Sequence, residues 1–437
     1  MLQSIKNIFS VKDIRKKLLF TVLILLLFRI GTFITIPGLN KILINEQLGA
    51  NSNGLSAMVN LISGGAFSRL SIFAMTIGPY ITASIVLNLL QFVIPSLERL
   101  AKEGENGRKK LNKYTKYLTI AFAIIEGLGL YFTYRAYLLP ALTFGAGKVV
   151  GMLLFIISLM AGTSLLTWLG DKITEHGIGN GISMIVFFGI VAGLPSTIKS
   201  FANIAGAGFT GILVFAALIV GLLVIIAGVV FVQKAERRIP VNYAKRVVGR
   251  KMYGGQSTHI PIKLAMAGVM PLIFAMSFMS FPGIIIGLVT DINTLTGFWK
   301  GVYTLFTASA SSPWGYLVGY AVIYMALIIL FTFVYTMFII NPVEIANNLK
   351  KNGGFIPGIR AGKNTSDYIN NVLIKITAAG SLFLAAIAIL PIILQAFTSQ
   401  SISFSGNSIL ILVSVGLEIL NTVETQMVSR NYSGFLG

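Results

Sequence analysis

Few side chains in this sequence are suited to chemistry, and most of those sit where an apolar chain should not carry them. Arg29, Arg69, Glu126 and Glu418 fall in or beside long hydrophobic runs. A charge at the centre of a bilayer costs about 3 kcal/mol or more, so such residues face protein, water or a partner charge. Glu126 is nearest the middle of its run, and both a role between moving helices and a purely structural role stay open for it. Arg29 and Glu418 lie close enough to an interface to snorkel or pair, which is the reading preferred for them. His176 and His259 are the only histidines and are far apart in sequence, so no histidine metal centre is expected. Cysteine is absent, which excludes disulfides, thiol chemistry and cysteine metal sites. There is no Walker A loop and no H-E-x-x-H. Gly177, Gly179 and Gly181 resemble part of a dinucleotide fingerprint, but no strand precedes them and an apolar run follows, so they read as a tight turn entering a helix. No catalytic constellation, metal or cofactor is expected; binding, gating and transport remain.

The elements that must position these residues are membrane helices. The chain has 437 residues, 55% of them hydrophobic and 11% charged, against about 25% charged in soluble domains. It reads as an all-α polytopic membrane protein. About ten spans are expected, at roughly 18–36, 74–95, 117–138, 150–169, 179–195, 210–232, 265–288, 316–340, 373–397 and 407–425. The formal charge of +20 is distributed unevenly. Arg99 to Lys116, Lys234 to Lys263 and Lys350 to Lys363 carry clusters of Lys and Arg after the second, sixth and eighth spans, whereas the alternate loops hold only Lys41, Arg135, Lys148, Lys199 and Lys300. By the positive-inside rule both termini are cytoplasmic. Lys6 to Lys17 precede the first span, and no cleavable signal is evident. Leu2, Ile5 and Phe9 suggest a short interfacial amphipathic helix. The sequon at Asn364 falls on the inner face, where glycosylation is not expected.

The stretch Leu61 to Ile94 organises the rest. Leu61 to Phe73 is too short to span a bilayer, which needs about 20 apolar residues, and it carries Gly64-Gly65, three serines and Arg69. Two placements are open: a half-helix inside a cavity formed by the other spans, or a loop on the outer surface. Irregular backbone at membrane depth survives only inside protein or beside water. Two long inside loops, 233–264 and 341–372, are rich in Gly, Pro, Asn and basic residues. Ile239, Val241 and Tyr243 alternate and suggest a hairpin. The length of these loops favours docking of a large cytoplasmic partner, and an excess of basic groups can attract anionic lipid or RNA. Two domains are expected: an N-terminal half, 1–195, and a C-terminal half, 210–437. Two halves of five spans with opposite orientation are permitted by the pattern. A ten-span small-solute permease is one candidate, but it should show several clustered mid-span Asp, Asn, Arg or His, and these spans carry few.

Several motifs have a specific counterpart. Phe28-Arg29-Ile30-Gly31 with Ile36-Pro37-Gly38, Ser63-Gly64-Gly65-Ala66 with Ser68-Arg69, and Pro79-Tyr80-Ile81 open the series. Gly177 to Ser183, Arg237-Arg238-Ile239, Asn242 to Arg246, Gln256 to His259 and Phe355 to Arg360 continue it. Together they resemble the SecY family, the channel subunits of Sec protein translocons and their Sec61-alpha counterparts. That resemblance implies a passive channel with two inverted halves around an hourglass pore. It moves unfolded preproteins across the bacterial plasma membrane, releases hydrophobic segments sideways and is driven by a motor ATPase or the ribosome. It places a plug at about 57–70, with Ser63, Gly64, Gly65, Ser68 and Arg69. It places a pore ring at Ile77, Ile81, Ile182, Val186, Ile273 and Ile411. Aliphatic side chains at such a constriction favour dewetting and bind no ion; Val186 is slightly smaller than the isoleucine usual there. Spans two, three, seven and eight form a lateral gate, to which Asn88, Glu126 and Ser277 contribute polar contacts. Arg237, Arg238, Lys245, Arg246, Arg250 and Arg360 are implied partner contacts; Ala361 stands where a proline often follows, and the tail after Arg430 is short. Implied partners are SecE- and SecG-type small subunits, the ATPase SecA, the ribosome, signal peptides with their preproteins, and anionic lipid.

Overall fold

The structure, a computed structural model, describes residues 12–40, 44, 60, 63–142, 146–205, 209–243, 246–248, 251–253, 257–289, 295–307, 312–398 and 406–433. Each of the ten expected runs falls on a helix. These are α1 (Lys12–Gly31), α2 (Gly78–Val93), α4 (Glu105–Tyr134), α5 (Ala146–His176), α6 (Gly181–Ala205), α7 (Phe209–Lys234), α8 (Met270–Val289), α10 (Trp314–Ile339), α12 (Lys363–Thr398) and α13 (Gly406–Ser433). Three shorter helices join them: α3 (Pro95–Lys102), α9 (Gly297–Phe306) and α11 (Pro342–Lys351). Among the described residues, five helices are long and apolar enough to cross a membrane, and α2 with α3 makes a sixth candidate bent by 101°. Shorter apolar helices occupy 181–195, 219–234 and 270–286. The chain is a multi-pass membrane protein.

Helix ends depart from the apolar runs for local reasons. The α2–α3 bend falls at Ile94, which is extended (φ −103°, ψ 108°) ahead of Pro95; a residue before proline is pushed out of the helical region. Helix α4 begins twelve residues before its apolar run, since its polar first turns are good helix formers and pair at Glu105–Lys109 (2.9 Å). Lys116 of α4 reaches Asp171 of α5 at 2.5 Å, tying these two helices together beyond their apolar parts.

The expected hairpin exists and is larger than expected. Strand β1 (Glu236–Tyr243) pairs antiparallel with β4 (Ser257–Lys263), with Ile239 opposite Ile260. A separate small hairpin joins β2 (Arg246–Val248) to β3 (Lys251–Tyr253). The other edge of β1 takes β5 (Gly354–Phe355) from the second long loop, so one sheet in the order β4-β1-β5 unites both loops. The alternation in β1 buries Ile239 and Val241 while Arg238 and Pro240 face out. Those two pack with Ile262, Leu349, Ile356, Ile369 and Leu373, which seats the sheet on α11 and the start of α12.

The half-helix expected over 61–73 is a chain of turns in the described part, 63–77. Helical backbone is interrupted by positive φ at Gly64 (63°), Gly65 (86°), Leu70 (43°) and Thr76 (52°). The last two are non-glycine residues in a conformation that L side chains seldom adopt. Backbone bonds Ile36 N–H to Leu70 O and Ile72 N–H to Ile34 O stitch the segment to the strand-like chain after α1. Ser63, Ala66, Leu70, Ser71 and Phe73 are almost fully buried. The segment lies inside the bundle, not as a loop on its surface.

Candidate functional site: a stoppered waist

Four helices send aliphatic side chains to one cavity of about 580 Å³. Ile77 and Ile81 come from the start of α2, Val186 from α6, Ile273 from α8 and Ile411 from α13. The spacing of four between Ile77 and Ile81 puts both on one face of α2. Ile182, one turn before Val186, lies off the cavity. It packs against the same core as Ile77, Val186 and Ile411, beside Gly170 of α5. Phe67 of the buried segment forms part of the wall, and its ring meets Tyr134 edge-on at 6.0 Å.

The stopper is held by polar bonds from within and from α1. Asn60 organises it: its carbonyl accepts from Gly65 N–H and the Ser63 hydroxyl, and its Oδ1 accepts from Ser68 N–H at 2.9 Å. Phe67 N–H donates to Ser63 Oγ and Ser68 Oγ to the Gly65 carbonyl. The outer tie is Arg29. Its Nη1 donates to the Gly64 carbonyl at 2.6 Å, a short charge-assisted bond. Of the two alternatives expected for Arg29, snorkelling or pairing, the structure shows pairing: it turns inward to the backbone of the segment. Phe73 stacks on Phe28 of α1 at 5.9 Å, over Gly31, whose missing side chain leaves room for the ring. Residues 57–59 and 61–62 of the expected plug lie outside the described residues.

The flank of the cavity is a seam between α2, α4, α8 and α9. Glu126 of α4 accepts a hydrogen bond from Thr82 of α2 at 3.4 Å, and Thr82 also donates to the Gly78 carbonyl. Ser277 and Ser280 of α8, Thr133 of α4 and Thr304 and Thr307 of α9 add hydroxyls to the wall. Apolar contact across α4 and α8 includes the edge-on pair Phe122–Phe281 at 6.1 Å. On the far side of α8, Phe274 meets Phe331 and Tyr335 of α10 at 6.0 and 5.7 Å. Asn88 does not join Glu126 and Ser277. It accepts from Gln91 at 3.4 Å and lines a separate small recess with Ile85, Phe274 and Phe331.

The basic residues of the two long loops separate into groups. Arg237, Arg238 and Arg360 are exposed, and Arg238 pairs with Glu236 at 2.7 Å. The Arg360 carbonyl is fixed by the Thr365 hydroxyl at 3.0 Å, between Gly358 and Gly362, both at positive φ. Arg246 is in β2, while Lys245 and Arg250 lie outside the described residues. Thr82, Phe67 and the hydroxyl face of α9 belong to the site but carried no sequence signal: a lone threonine or phenylalanine in an apolar run looks like core.

The SecY family model matches residues 71–420. The chain belongs to the SecY family. Members at the level of whole sequences include the protein translocase subunit SecY of Streptomyces scabiei, 44% identical over 450 residues, and that of Halalkalibacterium halodurans, 45% over 445, each match covering all of both chains. In three dimensions the SecY-family chain is similar to a protein-conducting channel at TM-score 0.67 and 18% identity, over 95% of this chain and 93% of the other. It is similar as well to a SecY whose plug domain stabilises the closed state and maintains a membrane seal, at TM-score 0.64 and 20% identity, with the same coverage. Sec61 in the canine ribosome–channel complex matches at TM-score 0.63 and 17% identity, again over 95% and 93%. Its curated relatives are protein translocase subunits, and the first of these solved structures is a protein-conducting channel.

Proposed function

We propose that this SecY-family chain is the central protein-conducting subunit of a bacterial plasma-membrane translocon, with both termini cytoplasmic. It passes unfolded preproteins through the aliphatic waist and releases hydrophobic segments sideways along the seam between α4 and α8. Convergence of Ile77, Ile81, Val186, Ile273 and Ile411 on one cavity beside a buried, turn-rich stopper carries the proposal. The polar groups of the cavity lie on its flank, and the aliphatic groups of the waist yield to differing peptide side chains while resisting wetting in their absence. Ile182 completes the ring one turn along α6 when the stopper leaves. The plug is the segment at about 57–70, with Ser63, Gly64, Gly65, Ser68 and Arg69 in its described part. The seam is the lateral gate; Glu126 with Thr82 and Ser277 sets how readily it parts for an incoming apolar signal helix, and Asn88 acts nearer its other end.

On the cytoplasmic side, the β4-β1-β5 module presents Arg237, Arg238 and Arg360 to a SecA-type motor ATPase or the ribosome, with Arg246 of β2 and the sequence neighbours Lys245 and Arg250 as further contacts. SecE- and SecG-type small subunits complete the complex. The test is reconstitution of the complex in vesicles with the motor ATPase, ATP and an unfolded preprotein. Protease-protected cargo is the expected result. Uptake of a labelled small solute without protected cargo would overturn it.

A further inference from the structure

The hydroxyls along the seam have a direction. A serine or threonine hydroxyl has one proton to give and two lone pairs to receive with. In the cavity wall, Thr133 of α4 donates its proton to the Gly129 carbonyl at 2.9 Å, and Ser280 of α8 donates to the Ser277 carbonyl at 2.8 Å. On α9, Thr304 donates to the Lys300 carbonyl at 2.8 Å and Thr307 to the Tyr303 carbonyl at 2.6 Å. Each bond returns the proton to the residue's own helix, three or four positions back, as hydroxyls in helices do. What these four oxygens still offer an occupant is lone pairs.

Glu126 has the same polarity. Its Oε1 accepts from Thr82 at 3.4 Å, and Thr82 shares that one proton with the Gly78 carbonyl at 3.1 Å. Among the described residues lining the cavity, Glu126 is the one acidic side chain, and none is Lys, Arg or His. Helices α2 and α8 carry no charged residue. Arg29 and Arg69 of the stopper do not line the wall; both lie over the Phe33 ring. Tyr303 adds one phenol, which can give as well as receive. Three elements of the seam thus gather acceptors around a carboxyl group. A buried ammonium or guanidinium needs acceptors and an opposite charge, whereas a buried carboxylate needs donors. The flank meets the first need; a carboxylate there would face lone pairs and a like group.

We propose that this flank is a charge selector for a polypeptide segment standing at the seam: Thr133, Ser280, Thr304, Thr307 and Glu126 accept its Lys or Arg side chains and disfavour Asp and Glu. The inference rests on the translocation reading and names what the seam distinguishes in its cargo. The test uses full-length protein in reconstituted complexes. Three preproteins carry Lys, Gln or Glu at the centre of one otherwise identical apolar segment, and a tightly folded C-terminal domain stalls each in the channel. The chain has no cysteine of its own, so I284C on the cavity wall reports occupancy by disulfide cross-linking to a single cysteine in the segment. Cross-linking of the Lys cargo is expected to exceed that of the Glu cargo about tenfold, with Gln between them. T133V/T304V/T307V keeps the shape of the wall and removes three acceptors, and the ratio should fall to about twofold. T133S/T304S/T307S keeps the acceptors and should keep the ratio. S280A should lower it in part, and serves where the valine variant does not fold. Lys and Glu yields within twofold of each other in wild type would overturn the proposal, while protease-protected entry of the Gln cargo would leave the translocation reading standing. A full ratio in the valine variant and in S280A that vanishes in E126Q would assign selection to the carboxyl group alone and also overturn it. Failure of every cargo to enter would bring down the translocation reading and the proposal with it.

Discussion

Replacing Arg29 with methionine should loosen the stopper by an amount that the structure lets one work out. The side chain keeps its length and apolar stem but loses the 2.6 Å bond to the Gly64 carbonyl. Hydrogen bonds to charged groups contribute about 1.5–3 kcal/mol, and the buried carbonyl is left without that donor. Nothing comparable is lost from the displaced state, where the carbonyl meets water. The equilibrium between seated and displaced stopper therefore shifts by roughly 12- to 160-fold. The cation–π contact to Phe33 adds little, since Arg69 stays over the ring. The assay is ion leak through reconstituted channels in the absence of cargo. Leak should rise by at least tenfold in R29M, with a smaller rise in R29K, while the thermal midpoint of the whole protein moves little. Leak within twofold of wild type in both would refute the idea that this bond seats the segment.

Other perturbations follow from the same coordinates. Gly64→Ala puts a Cβ 3.3 Å from the Gly189 backbone at φ 63°; it should destabilise the seated segment by about 1 kcal/mol, read as increased protease cleavage of the segment in the folded protein. Glu126→Leu removes the partner of Thr82, and translocation of weak signal sequences should change; an unchanged rate sinks the gating role. Phe281→Ala deletes an aromatic contact across α4 and α8, a pair contributing about 0.5–1.5 kcal/mol beyond area, and cross-linking between cysteines placed on the two helices should fall. Glu98 is exposed, and its hydrogen bond from Lys102 holds the carboxylate below its ordinary value. That bond therefore favours α3 above the ordinary carboxylate pKa, and the effect is lost as pH falls through the lowered value; comparing E98Q with wild type by circular dichroism across that window checks the sign.

What the sequence revealed, it revealed through periodicity and charge. Ten apolar runs located ten helices because burial in lipid demands length and hydrophobicity. Their ends were less legible: the polar start of α4 is helical for reasons of propensity and ion pairing, not of hydropathy. Alternation of Ile239 and Val241 announced β1, but its second partner, β5, comes from more than a hundred residues away and has only two residues, too few to leave a pattern. The stopper was legible as an anomaly, since Arg69 and a glycine pair do not suit a lipid-facing helix. Its turns were not: Leu70, at positive φ, is tied to Ile36 by a backbone bond, Thr76 is at positive φ in a tight turn to Phe73, and neither residue type advertises such a conformation. For Arg29 the choice between snorkelling and pairing was open for a similar reason: proximity to a helix end says where a side chain can reach, and only the fold says that a carbonyl waits on the inner side.

The two-residue clasp between β1 and β5 has a mechanical consequence. A load applied at Arg360 meets two routes into the membrane. One passes through a pair of backbone rungs that can unzip at small cost; the other runs through the wedge of Leu349, Ile356, Ile369 and Leu373 into the base of α12. Pushing on the sheet towards α12 compresses the second route and leaves the first intact, whereas pulling opens the first before the second yields. The module should thus behave as a ratchet-like bumper, stiff to thrust and compliant to withdrawal.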